Sequence, residues 1–260
     1  MTTLRGKHAI ITGGSQGIGL ATAAACLARG ACVSVIARDA AKLQAAKARF
    51  PQIAITSADV TNSGALVTAI HDVTTAQGPC DVLITAAGAA EPGYVQDLDE
   101  TVYRRHVELN QMGTINAVTA VLPGMIDRGA GHIVLISSVV GLIGVFGYAA
   151  YAPTKFAVRG YGLALDAELR DQGIRVGIAY PPDTLTPGFE RENLTKPIET
   201  HRVSGAVKPI PPERMADAIV RGIERNRLHI TADRQTAVMA ALLDLPGPGL
   251  RALMRRSARG

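Results

Sequence analysis

The sequence predicts an α/β fold: a single doubly wound domain built on a seven-stranded parallel sheet. Three observations carry this. Seven short apolar runs alternate with longer amphipathic segments along the 260 residues. The runs are continuously apolar rather than alternating, as strands are when a parallel sheet is covered on both faces. The composition, 47% hydrophobic with 27 glycines and only 4% aromatic residues, suits tight helix-on-sheet packing with many strand-to-helix turns.

The elements follow in order. Strands are expected at Ala9–Thr12, Cys32–Ile36, Ile53–Thr56, Val82–Thr85, Ile133–Ser137, Val176–Tyr180 and Leu228–Thr231. Between them, Ile18–Arg29, Ala40–Arg49, Leu66–Gln77 and Phe156–Arg170 read as helices, and a long helix is expected over Asp99–Arg128. Pro181–Pro212 reads as irregular, with six prolines before Pro212 closes it. A loop of that length in a compact domain is expected to be a substrate lid. Residues 233–260 form a basic tail, since seven Arg against two Asp after residue 224 account for the whole net charge of +5.

Several function classes drop out. Cys26, Cys32 and Cys80 are too few and too scattered for a disulfide framework or a zinc site, and the six histidines show no ligand spacing. No metal is expected. The first strand is reached almost at once, without a charged-then-apolar leader, and no uncharged run of about 18 apolar residues follows. The expectation is a soluble, cytoplasmic protein acting on a small molecule, with no nucleic-acid partner.

The first strand runs into Gly13-Gly14-Ser15-Gln16-Gly17-Ile18-Gly19 and then a helix. Glycines here permit a tight turn and close approach to a pyrophosphate, whose charge the helix N-terminus can accept, as in Rossmann-type dinucleotide sites. Gly13, Ser15, Gln16, Gly17, Ile18 and Gly19 are the cofactor candidates. After the second strand stand Arg38 and, one turn on, Lys42. A guanidinium can fork onto the 2′-phosphate of NADP, with an ammonium adding charge. Asp39 between them leaves an NAD-type contact, or a helix N-cap, open. The expected cofactor is NADPH.

Tyr151 and Lys155 are one helical turn apart at a helix start, and Ser138 closes the fifth strand. A phenol titrates near pH 10, and a neighbouring ammonium is expected to lower that value toward the range useful for proton transfer. Ser138 can hydrogen-bond a substrate oxygen. With the glycine turn, and with Asn110 in Leu109-Asn110-Gln111-Met112-Gly113, these residues resemble the short-chain dehydrogenase/reductase family over essentially the whole chain.

The resemblance implies an Asn110–Ser138–Tyr151–Lys155 tetrad. Hydride would pass from the nicotinamide to a carbonyl carbon while Tyr151 protonates the oxygen. It implies adenine contact by Asp59 and further cofactor positions at Val60, Gly88, Pro181, Thr184 and Thr186. Thr85-Ala86 departs from the family's Asn-Asn, and Pro181-Pro182 from its Pro-Gly.

Within the family, Tyr180–Phe189, the residues that follow up to Thr200, and Phe156-Ala157-Val158-Arg159-Gly160 resemble the 3-ketodihydrosphingosine reductases. This implies a lipid-like ketone substrate. Leu185 departs from the acidic residue expected there. Glu190, Glu192 and Glu199 could pair with such a substrate's ammonium, or be solvated surface charges. A 3-oxoacyl thioester is the alternative substrate, and a non-catalytic NADP(H)-binding regulator the alternative of another class. A homodimer or homotetramer through the two long helices is expected. Gly160 and Gly162 would serve that interface or an internal contact. The leucines and arginines of the tail suit either peripheral membrane docking or ordinary packing.

Overall fold

The computed structural model describes residues 1–204, 208–247 and 249–250. The sheet holds β1 (His8–Thr12), β2 (Cys32–Ala37), β3 (Ala54–Ser57), β4 (Val82–Thr85), β5 (Gly131–Ile136), β6 (Ile174–Ala179) and β7 (His229–Ile230). All pairs are parallel and the order is β3-β2-β1-β4-β5-β6-β7. The seven expected strands are present, each within two residues of its expected start.

The apolar runs are continuous because each strand feeds two cores. Ala9 and Ile11 of β1, Val33 and Val35 of β2, Val82 and Ile84 of β4, and Val134 and Ile136 of β5 pack on one face. Ile10, Ile36, Leu83, Ile133 and Leu135 pack on the other. The first face is covered by α1 (Gly17–Leu27) and by α9 (Pro212–Glu224), an element the sequence reading did not single out. The second is covered by α3 (Ser63–Gln77), α5 (Gly113–Arg128) and α6 (Ala152–Leu169). A Cβ on Gly162 would stand 2.7 Å from Ile178, so this glycine seats α6 on β6, whereas one on Gly160 would meet nothing. The internal contact is therefore the one Gly162 serves.

Two regions differ from expectation. The helix expected over Asp99–Arg128 is broken into α4 (Glu100–His106), a π-helical segment over Val107–Met112, and α5. The supposed irregular stretch contains α7 (Pro187–Asn193) and α8 (Ile198–Ser204). Thr186 caps α7 by accepting from the Phe189 amide, and Pro187 occupies a first-turn position where its missing N–H costs nothing. A bridge between Thr184 and Ile210 ties the ends of this stretch. The other elements are α2 (Ala40–Arg49) and α10 (Arg234–Leu242). Arg251, Leu253, Met254, Arg255, Arg256 and Arg259, on which the membrane reading of the tail rests, lie outside the described residues. No described helix is long and apolar enough to cross a membrane.

One buried polar group on the sheet gives a pH signature. His132 of β5 is fully buried, and burial pushes its imidazole down to about 4. Protonation therefore favours the unfolded chain. The stability that neutral His132 contributes is complete above about pH 6.5 and is lost as pH falls through 4. Replacing His132→Leu is expected to remove roughly 3 kcal/mol of the stability difference between pH 7 and pH 4. Urea denaturation at the two pH values measures it, and an unchanged difference in the variant refutes it.

Candidate active site

The C-terminal ends of the strands open into a cavity of about 960 Å³. It lies where strand order reverses, with β1 between β2 and β4, which is where open parallel sheets bind ligands. Gly13 has φ +68°, and a Cβ there would lie 2.4 Å from the Ala87 backbone nitrogen. The β1 and β4 loops thus meet backbone to backbone. Gln16, the N-cap of α1, makes no side-chain cap bond, which leaves first-turn N–H groups available to an anion. Every sequence-derived tetrad and cofactor residue except Asn110 lines this cavity.

At the end of β2, Arg38 is 80% exposed and its guanidinium pairs with Asp59 at 3.2 Å. Asp39 is the N-cap of α2, accepting from the Lys42 amide at 3.0 Å, and it also pairs with the Lys42 ammonium at 3.2 Å. Its carboxylate is thereby engaged twice. Asp59 accepts from the Thr61 amide and hydroxyl at 2.9 and 2.8 Å as well as from Arg38.

Asn110 sits on the π-helical segment and is fully buried. Its amide donates to the Ala89 carbonyl (3.0 Å) and the Thr154 hydroxyl (3.2 Å), and accepts from the Ala89 amide (2.9 Å). It braces the β4 loop against α6 from behind the cavity. The extra residue in that turn is what a π-bulge supplies, a feature common beside functional sites.

Tyr151 and Lys155 stand at the start of α6. Lys155 donates to the Ile136 carbonyl at 2.9 Å, with its nitrogen 5.6 Å from the Tyr151 ring centroid. Burial lowers the Lys155 ammonium to about 8. The expected depression of the Tyr151 phenol is not found. Burial pushes it up, the charge of Glu192 adds to this, and a hydrogen bond with Ser138 opposes it. A phenol held this way is protonated at neutral pH and poised to give a proton.

Sequence reading did not single out Tyr148, Asp183 or Phe189 of the far wall, and it left Glu192 as either an ammonium partner or a solvated surface charge. All four line the cavity. Tyr148 donates a short hydrogen bond to Glu192, whose side chain is only 15% exposed. Glu192 is therefore not a solvated surface charge. Glu199 accepts from the Tyr94 hydroxyl at 3.0 Å, and Glu190 is exposed. The available signal was local: the Thr186-Pro187 helix start and the four-residue spacing of Glu192 and Lys196.

Comparison with known proteins bears on this geometry. Residues 7–197 match the model of the short chain dehydrogenase family. The chain belongs to that family. Among its relatives is a 3-ketodihydrosphingosine reductase of Dictyostelium discoideum, 38% identical over 95% of this chain and 79% of the relative. Another is a 2-keto-3-deoxy-L-fuconate dehydrogenase of Xanthomonas campestris pv. campestris, 38% identical over 72% of this chain and 62% of the relative. A short-chain dehydrogenase from Streptomyces avermitilis superposes with a TM-score of 0.78 and 27% identity, covering 97% of both chains. As a short-chain dehydrogenase/reductase, the protein is an oxidoreductase, and membership implies a nicotinamide dinucleotide. The residues present fit one. Gly13 brings no Cβ to the crevice after β1, α1 opens uncapped toward it, and cationic side chains stand at the end of β2. Among the described residues, no cluster of His, Cys, Asp and Glu could hold a metal.

Tyr151→Phe removes the hydroxyl and keeps the ring and Lys155. If this phenol is the proton donor, turnover is expected to fall at least about a hundredfold while the dinucleotide still binds. Steady-state rates and cofactor titration measure the two effects. A variant keeping more than that fraction of its rate rules the phenol out.

Proposed function

We propose that this short-chain dehydrogenase/reductase uses NADPH to reduce the ketone of 3-ketosphinganine, a long-chain 2-amino ketone, to a secondary alcohol. The observation that carries the substrate is the likeness to the Dictyostelium reductase over 95% of the chain. The chemistry is supported by Tyr151, Ser138 and Lys155 facing one cavity at the strand ends.

The roles follow from the side chains. A ketone oxygen held by Ser138 and Tyr151 receives two hydroxyl donors. A nicotinamide held beside it would supply a hydride to the carbonyl carbon. As charge grows on the oxygen, Tyr151 gives up its proton, and its raised pKa means that the needed acid form dominates beforehand. The Lys155 ammonium, anchored on Ile136, then faces a phenolate and stabilises it. Asn110 holds the loop and the helix in register. Residues 181–212 act as the substrate lid in this reading, since Phe189, Glu192 and Val203 contribute to the cavity wall. Leu242, Leu243, Leu245 and Leu250 of the tail are exposed, which supports peripheral contact with the membrane that holds such a ketone.

NADPH is preferred over NADH in this reading because Asp39 is spent on its helix cap and on Lys42. Arg38, exposed at the cavity edge, is placed for a 2′-phosphate. Arg38→Ala is expected to weaken NADPH about tenfold to a hundredfold relative to NADH, with Lys42→Ala adding to it. Titration of both cofactors measures this, and equal losses would remove Arg38 from phosphate recognition.

A second reading, oxidation of a small hydroxy acid, has the Xanthomonas relative in its favour. One assay separates the readings. NADPH consumption is expected with 3-ketosphinganine, and turnover at least tenfold less efficient both for NADPH consumption with a short 3-oxoacyl thioester and for NAD(P)H formation from NAD(P)+ with a 2-keto-3-deoxy sugar acid. The reverse order sinks the sphingoid reading.

A further inference from the structure

Glu192 is a carboxylate with only half of its bonding capacity in use. It lines the cavity from α7 with its side chain 15% exposed. A charge so far removed from water requires compensation. The Tyr148 hydroxyl donates to Oε1, and Lys196 Nζ lies 3.1 Å from that same oxygen. The Lys196 side chain is fully buried and stacks over the Phe189 ring, 4.3 Å from its centroid. Its nitrogen is also 3.9 Å from Asp183 Oδ2. One ammonium therefore faces two carboxylates. Among the described residues, no side chain donates a hydrogen bond to Glu192 Oε2.

This arrangement adjoins the reacting centre. The Tyr148 and Tyr151 rings are neighbours, with centroids 5.9 Å apart. A 2-amino ketone carries its ammonium on the carbon next to the carbonyl. With the ketone oxygen at Tyr151 and Ser138, that ammonium falls against the adjoining wall, where Tyr148 meets Glu192. The wall there offers a carboxylate oxygen that accepts no hydrogen bond from a described side chain, an acceptor suited to an ammonium. A hydroxyl or an amide on the same carbon would not repay its charge.

We propose that Glu192 is the specificity-determining residue for the substrate's cation. Its Oε2 accepts a hydrogen bond from the protonated 2-amino group, while Tyr148 and Lys196 fix the carboxylate through Oε1. The proposal rests on the amino-ketone reading above and assigns the recognition of the amine within it. A carboxylate that merely clamped α7 would matter equally for every ketone. A cation receptor matters for charged ones.

The test compares 3-ketosphinganine with its N-acetyl derivative, which keeps the ketone and chain but loses the charge. The readout is the ratio of the two kcat/KM values, in which a general loss of activity cancels. The wild-type enzyme is expected to favour the amine at least tenfold, and Glu192→Gln, which keeps the side chain's shape, to reduce that ratio at least tenfold. A wild-type ratio near one, or a ratio in Glu192→Gln within twofold of wild type, overturns the assignment even if 3-ketosphinganine remains a good substrate. Reduction of a 3-oxoacyl thioester with no reduction of either sphingoid ketone takes down both readings. A measurement on the wild-type enzyme alone covers a variant that fails to fold. A long-chain primary alkylamine is expected to inhibit competitively at least tenfold better than its N-acetyl derivative, and equal inhibition overturns the proposal.

Discussion

Burial of the sheet on both faces is the constraint from which the rest of this structure follows. With Ile11 and Val35 packed to one side and Ile10 and Ile36 to the other, no strand has a polar face to offer. Polar chemistry is confined to the strand ends. Parallel pairing sends all seven strands the same way, so their C-terminal ends form one rim. The reversal of order at β1 splits the loops along that rim and leaves the crevice. Gly13 and Ala87 close its floor because neither loop interposes a side chain there.

The same burial decides the electrostatics. A phenol beside a lysine suggests mutual stabilisation of charges, yet both groups are taken out of water and each shifts toward its neutral form. Burial takes Lys155 to about 8 and raises the Tyr151 phenol. In the direction of ketone reduction this is the useful state, since the phenol must start with its proton. The lysine gains its full role only when charge appears opposite it. Its anchor on the Ile136 carbonyl keeps it in place until then.

The fold was legible in the sequence because two-sided burial writes itself as uninterrupted apolar runs. Val82–Thr85 and Ala40–Arg49 were readable to the residue. The glycine turn, Ser138, Tyr151 and Lys155 were readable because local spacing brings them to strand ends and a helix start. What was not legible depends on distance in the chain. Glu192 cannot be told from Glu190 and Glu199, as ammonium partner or surface charge, until Tyr148, 44 residues earlier, is folded against it. The π-helical segment at Asn110 leaves no trace in a 3.6-residue pattern. Seven-residue helices such as α7 and α8 are too short to show a period, and prolines that start a helix look like prolines that end one.

The wall formed by Tyr148, Glu192 and Lys196 also explains how a segment with so many prolines keeps a defined shape over the cavity. Its base is tied by the Thr184–Ile210 bridge, and its first helix is capped by Thr186. Those contacts fix where α7 begins but not how it lies against α6. The Tyr148–Glu192 hydrogen bond ties α7 to the turn that precedes α6, and Lys196 supplies the charge without which that carboxylate would stand unpaired in a nearly dry environment. Buried ion pairs are poor sources of stability but strict about geometry. Here the geometry they enforce is that of a surface facing the reacting carbonyl, with the Tyr148 ring joining it to Tyr151. A purely apolar contact could hold α7 equally well. It would lack the carboxylate on which the proposed recognition of a charged ketone depends.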